Sequence, residues 1–247
     1  KQYFSQGLPS VEGTYLLDAS QAKGPLAQAD FYCGIYNSPE RVTFSIPNLP
    51  AGKYAVSIQR VQGQNPATLT LILQDVGGSW KLAGFYPRLN SIAGHDGQWY
   101  LTKARDYKAK GAMYTAWFYY LTAWDLIAPV NFMSTPQLDR IATELNSARP
   151  SNLPSESQPL NLFANGKTFP VIDLSAYPVG PDLNVRVRYQ TADAANSALA
   201  YQDNMAVIKA LVQQHPEFRE AFAGVIARAV DANGHDYGSV LAMRDIK

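Results

Sequence analysis

Between residues 41 and 87 apolar and polar residues alternate in short runs separated by turn-forming residues. A period of two places successive side chains on opposite faces of a strand. The pattern predicts four strands: Arg41–Ile46, Lys53–Val61, Ala67–Gln74 and Ser79–Phe85. They would join as an antiparallel meander through Pro50-Ala51-Gly52, Gly63-Gln64-Asn65-Pro66 and Gly77-Gly78. In the second strand Tyr54, Val56, Ile58 and Arg60 share one face, and Ala55, Ser57, Gln59 and Val61 the other. In the third, Leu69, Leu71 and Leu73 share a face. One side of such a sheet packs on a core and the other is partly wet. Residues 1–40, punctuated by Gly7, Pro9, Gly13, Gly24, Pro25 and Pro39, are expected to wrap around it.

Beyond residue 96 the period lengthens to that of helices. Asp96 is a plausible N-cap, its carboxylate accepting from first-turn amides. Tyr100, Ala104, Tyr107 and Gly111 then share one helix face, and Ala116, Tyr120, Ala123 and Ile127 repeat the pattern before Pro129. Thr135-Pro136 opens a third helix, Gln137–Ser147. Residues 149–161 are polar and Pro-rich and read as a linker. The remainder, 162–247, predicts a small α+β domain of three strands and two helices. The strands are Phe169–Leu174, Leu183–Gln190 and Gly238–Met243. One helix presents Tyr201, Met205, Ile208 and Val212, the other Phe218, Phe222, Val225 and Ala229. The fold class is therefore α+β. Residues 1–148 would hold the meander (about 41–87) with the helices (about 97–147), followed by the linker and the second domain.

Two resemblances follow from these residues. Tyr100, Ala104, Tyr107, Gly111, Ala116, Tyr120 and Ala123 resemble a single tetratricopeptide (TPR) repeat, in which small residues face aromatic ones across two antiparallel helices. Pro129 falls one position late, and Lys103 stands where an aliphatic residue is usual. The strand ending Trp80-Lys81-Leu82-Ala83-Gly84-Phe85 resembles the closing strands of NTF2-like exported domains. As a whole the chain resembles an uncharacterised exported bacterial family, a resemblance that implies no activity.

Composition narrows the functions. The 247 residues carry 21 basic and 20 acidic side chains, a net charge of +1 with no basic stripe, which argues against nucleic acid as a partner. No stretch reaches the roughly 20 apolar residues of a membrane helix; the most apolar, Met113–Val130, is interrupted by Thr115, Thr122, Asp125 and Pro129. The lone Cys33 has no intrachain partner and reads as a small hydrophobe. The start at Lys1 without Met, together with the Tyr, Pro, Asn, Gln and Ser content, leads to the expectation of export to the periplasm or the cell exterior.

Chemistry is sparse. No Gly-x-Ser-x-Gly elbow and no phosphate-cradling loop occurs. Gly94-His95-Asp96 and Gly234-His235-Asp236 repeat one pattern, and His95, Asp96, His235 and Asp236 could hold a divalent metal if the loops met. The simpler expectation is two turns in which Gly supplies positive φ and Asp caps the next element. Trp99, Tyr107, Trp117 and Trp124 lie in the aromatic-rich centre and are candidates for a partner or sugar platform. Arg186 and Arg188 form a small basic strip suited to an anionic ligand. No catalytic residue, cofactor or resident metal is expected. The sequence thus reads as a non-enzymatic binding or assembly module of the bacterial cell envelope, its partner a protein or envelope component. The competing reading is a hydrolase of a cell-envelope or sugar substrate, working in a cleft between sheet and helices.

Overall fold

The computed structural model describes residues 9–34, 41–63 and 66–247. Gly7, Pro39 and the Gln64-Asn65 pair of the second expected turn lie outside the described residues. The fold is α+β, with fourteen strands and five helices among the described residues. It forms two compact units. The first runs to Ser91 and includes His95–Leu101 and Leu121–Asn146; the second takes Ile92–Gly94, Thr102–Tyr120 and Ser147–Lys247.

The first unit contains β1 (Ser10–Asp18), β2 (Leu26–Gly34), β3 (Arg41–Leu49), β4 (Lys53–Val61), β5 (Ala67–Val76) and β6 (Ser79–Leu89). All four expected strands form, and the stretch expected to wrap around them supplies two more. The pairing differs from a four-strand meander. β4, β5 and β6 are consecutive antiparallel neighbours, and β1 flanks β4 on its other side. Strand β3 leaves this sheet and pairs with β2. The reason is local. At Asn48 (φ 51°) and Gly52 (φ 150°) the backbone takes up positive φ, the Tyr54 hydroxyl donates to the Pro50 carbonyl at 2.8 Å, and the chain crosses to a second layer instead of folding back as a hairpin. Between β5 and β6, Gly77 (φ 62°) and Gly78 (φ 81°) do make the tight two-residue turn that their types favour.

Two-residue strands β7 (Ser91–Ile92) and β8 (His95–Asp96) precede helices α1 (Gly97–Ala109) and α2 (Met113–Ile127). Then come β9 (Met133–Ser134), which extends the β2-β3 sheet, and α3 (Pro136–Ala148). Leu17, Tyr54, Val56 and Ile72 of the four-stranded sheet pack with Val42, Phe44 and Met133 of the three-stranded one, so the first unit is a β-sandwich.

The helices start and stop as their sequence dictates. Asp96 Oδ1 accepts the Trp99 N–H at 2.8 Å, capping α1. At the other end Gly111 adopts φ 76°; its N–H donates to Lys108 O while the Ala112 N–H donates to Tyr107 O, the double closure of a Schellman motif. The expected small-against-aromatic positions Tyr100, Ala104, Ala116, Tyr120 and Ala123 are all buried. At the root of the hairpin the approach is close enough that a Cβ on Gly97 would meet Ile127 Cγ1 at 2.5 Å. Within the expected linker, the Asn152 carbonyl accepts the Tyr114 hydroxyl at 2.9 Å.

The second unit continues with β10 (Leu160–Ala164), β11 (Lys167–Val179), β12 (Asp182–Gln190), α4 (Ser197–Gln214), α5 (Phe218–Ala221), β13 (Gly224–Val230) and β14 (Asp236–Ala242). They form one sheet in the order β10-β11-β12-β13-β14, antiparallel except between β12 and β13. Two expectations are corrected here. The second helix, read from Phe218, Phe222, Val225 and Ala229, is a single turn followed by a strand. From residue 224 the period is two: Val225, Ala227 and Ala229 are fully buried, while Ile226, Arg228 and Val230 are half-buried. The count of three strands misses β10, which joins β11 through Asn165 (φ 49°) and Gly166 (φ 72°), a favoured hairpin pair.

Helix α4 packs on β10, β13 and β14. Its buried stripe runs through Ala200, Asn204, Val207 and Leu211, so the expected anchor Tyr201 is exposed. A buried polar residue occupies the stripe because it is fully bonded. Asn204 Oδ1 accepts the Tyr189 hydroxyl at 2.8 Å, and Nδ2 donates to Ser239 Oγ at 2.9 Å and to Tyr237 O at 3.2 Å. Substituting Asn204→Ala strands these partners, and the expected cost is about 1–3 kcal/mol. Urea denaturation of the variant measures it; an unchanged midpoint would show that the network contributes nothing.

Candidate functional site

Adjacent residues of a strand face opposite ways, and in β1 this has a visible result. Leu17 is 2 % exposed in the sandwich core; its neighbour Leu16 is 73 % exposed. The pairing registers carry the same contrast across the sheet. On the outer face Leu16, Ala55, Leu73 and Leu82 form one transverse row, and Thr14, Ser57, Leu71 and Phe85 form the next. Trp80, two residues from Leu82, shares that face beside Asp75. Leu82 is 62 %, Trp80 49 % and Phe85 44 % exposed. Between the exposed Leu16 on β1 and the half-buried Leu71 and Leu73 on β5, the short side chains of Ala55 and Ser57 on β4 are buried. A sheet apolar on both faces is ordinarily covered on both, and a contiguous exposed apolar patch marks a contact surface. This outer face is the candidate functional site.

No family model, curated protein or solved structure matches this chain. The site must therefore be judged on its chemistry alone. It offers shape and apolar surface and, apart from its margin, no titratable group.

The residues named from sequence lie outside this face. Trp99 and Trp124 belong to the first unit, Tyr107 and Trp117 to the second, and all four are half-buried. Trp99 stacks on the His95 ring, centroids 3.7 Å apart and nearly parallel. Tyr107 meets Tyr119 edge to face at 5.3 Å, and the Arg149 guanidinium lies 5.8 Å from the Trp117 ring centre. Arg186 is matched already: Nη2 reaches Asp173 Oδ2 at 3.1 Å, and the guanidinium lies 4.8 Å over the Tyr177 ring. Arg188 shares that face of the sheet, in register between Asp173 and Arg228, and Arg228 is itself bound to both Asp236 oxygens.

The two Gly-His-Asp loops are turns. Gly94 and Gly234 have φ of 75° and 85°. Asp96 caps α1 and Asp236 pairs with Arg228. His235 Nδ1 lies 2.9 Å from Asp231 Oδ2, and that buried carboxylate also accepts backbone N–H groups of Ala194, Asn233 and His235. Among the described residues no group of three or more His, Cys, Asp or Glu gathers as a metal would require. Cys33 is half-buried against the sandwich core, and burial pushes its thiol up, away from a reactive thiolate.

A cleft of about 610 Å³ lies within the second unit, beside the Gly111 turn and the end of α4, and His215, Glu217, Glu220, Tyr107 and Lys110 line it. His215 Nδ1 is 3.4 Å from Glu217 Oε1, and its ring stacks on Phe218 with centroids 4.9 Å apart. Its Nε2 is buried with no hydrogen-bond partner. Burial lowers the imidazole's pKa, against the opposing pull of Glu217, so the ring is held neutral. The Tyr107 hydroxyl is pushed up by burial and then by Glu220, Glu217 and Asp106, and stays a protonated donor. No Ser, Thr or Cys lines the cleft. It brings together two carboxylates, a lysine and a tyrosine hydroxyl, and the imidazole beside them is buried at Nε2.

Sequence reasoning missed Leu16, Trp80, Leu82 and Phe85 as site residues. The available signal was apolar residues in both phases of the alternation, which marks a strand wanted on both sides.

The depressed pKa of His215 has a definite sign. Unfolded, it titrates near the ordinary histidine value of about 6.5; folded, it resists protonation. Its contribution is complete above that pH and is lost as pH falls below it toward the folded value. The expected outcome is a Tm that drops between about pH 7 and about pH 5, and a drop that is smaller in His215→Phe. Equal drops in both proteins, read by calorimetry, would remove His215 as the cause.

Proposed function

We propose that this chain is a non-enzymatic binding or assembly module of the bacterial cell envelope, exported to the periplasm or the cell exterior. The observation that carries the reading is the apolar outer face of β1-β4-β5-β6, where Leu16, Trp80, Leu82 and Phe85 stand exposed on one side. Leaving such side chains in water forgoes ~1.5–3 kcal/mol for each one that a partner could bury completely. In this reading the α1–α2 hairpin is a scaffold, as a lone TPR-type hairpin would be, since one repeat makes no peptide groove. The sheet whose last strand resembles the closing strands of NTF2-like exported domains would be the part that receives the partner. No helix among the described residues is long and apolar enough to cross a membrane.

The hydrolase alternative rests on one observation, that Glu217 and Glu220 open onto the same cleft. It predicts turnover of an envelope glycan that Glu217→Gln abolishes; the binding reading predicts none.

A photo-crosslinking residue at position 82, expressed in the producing bacterium, tests the proposal. The expected outcome is a discrete adduct from position 82, lost when Leu16→Glu is added, and none from the exposed position 201 in the second unit. Absence of any adduct from position 82 would sink the reading.

A further inference from the structure

Resting on that reading, we propose that the occupant of the outer face is a second copy of this chain, with the two four-stranded sheets packed face to face about a two-fold axis. Four features of the face point to itself as partner.

The first is area. Val11, Leu16, Trp80, Leu82, Phe85 and Leu89 all lie on this side and are each at least 40 % exposed. Exposed apolar side chains gathered on one face are what a partner would cover, and a standard interface buries ~800 Å² on each partner.

The second is charge. Across the apolar rows the face carries no ionised side chain. At one margin Asp18 of β1 is in register with Lys53 of β4, and Asp75 of β5 is in register with Trp80 of β6. A lysine beside an aspartate is complementary to the same pair turned through a two-fold axis, because each lysine can meet the aspartate of the other copy.

The third is relief. Ala55 and Ser57, on the central strand β4, form a trough between the Leu16 ridge on β1 and the Leu71 and Leu73 ridge on β5. A two-fold axis can lay the ridge of each copy in the trough of the other, the self-matching shape an isologous interface needs.

The fourth is precedent within the molecule. The inner face of this sheet already packs on another sheet, and sheet on sheet is the packing its twist accommodates. Edge-to-edge pairing through β6 is a poorer route to a dimer. Its bulge opposite Ile72 and Leu73, with Lys81 and Pro87 along the strand, blunts that edge.

Sedimentation velocity of the full chain over a range of concentrations tests the proposal. The expected species has twice the 27.2 kDa chain mass. Leu82→Lys and Leu16→Asp, both at exposed positions, are expected to keep the circular dichroism spectrum and weaken self-association by ~100-fold or more, since each buries an unpaired charge in the dimer. Val240→Lys, at an exposed position of the second unit, is expected to leave the dimer intact. A wild-type chain that sediments at one chain mass throughout overturns the proposal, as does a dimer unaffected by both face variants. The crosslink from position 82 separates the two levels of inference. A monomer whose adduct has a mass other than two chains removes the second copy and keeps the binding module. A monomer with no adduct removes both.

Discussion

Leu16 and Leu17 cannot point the same way, and the first unit is organised around that restriction. A strand distributes neighbouring side chains to opposite faces, so two consecutive leucines at a strand end demand apolar surroundings on both sides of the sheet. Along β4 and β5 the same holds: Val56, Ile58 and Ile72 supply the inside, Ala55, Leu71 and Leu73 the outside. The inner demand is met by β2, β3 and β9, and the chain passes from β3 to β4 by turning a corner at Asn48–Gly52. The outer demand is met only in part within the chain. Leu69 is buried on that face, whereas Leu16 and Leu82 are left in water. The functional reading follows from this imbalance.

Much of the fold was legible because periodicity is a direct record of burial. The four strands between 41 and 89, the cap at Asp96, the turn at Gly111 and the third helix were all readable from spacing and residue type. The losses have physical causes. Strands β1 and β2 were obscured because one face of each is partly exposed, so glycine and polar residues interrupt the apolar phase. Strand β13 imitated a helix because Phe218, Phe222, Val225 and Ala229 fall at helical offsets, although the two phenylalanines and the two smaller residues belong to different elements. Asn204 hid the true stripe of α4, since a buried amide satisfied by Tyr189 and Ser239 looks like a solvent position until its partners are known. The candidate site was less legible than the fold. The tryptophans of the central helices are the densest aromatic signal and pack half-buried, while the exposed apolar residues sit on strands whose alternation marks the second face as merely wet.

Three titratable groups are held in fixed protonation states or bonds by their surroundings. His215 is buried, stacked and held neutral; Tyr107 is held protonated; Asp231 is enclosed by N–H groups and the His235 ring. Each is adjusted by its surroundings in the service of local structure. General acid–base chemistry needs a proton-transferring atom that a ligand can reach, and His215 Nε2 is closed off.

The sheet of the second unit contains one junction unlike the rest. β10–β11 and β11–β12 close over two-residue turns, but β12 and β13 run parallel, so the chain must traverse α4 and α5 before that pair can meet. Closing a long connection costs more chain entropy than closing a hairpin, and it is repaid only when α4 lies on the sheet. The N-terminal half of this sheet can thus assemble from short-range contacts, while β13 and β14 arrive as a late pair that depends on the helix being in place. A nascent chain released before residue 224 would carry an unpaired β12 edge, lined alternately by valine and arginine, and would be most exposed to mispairing at that moment.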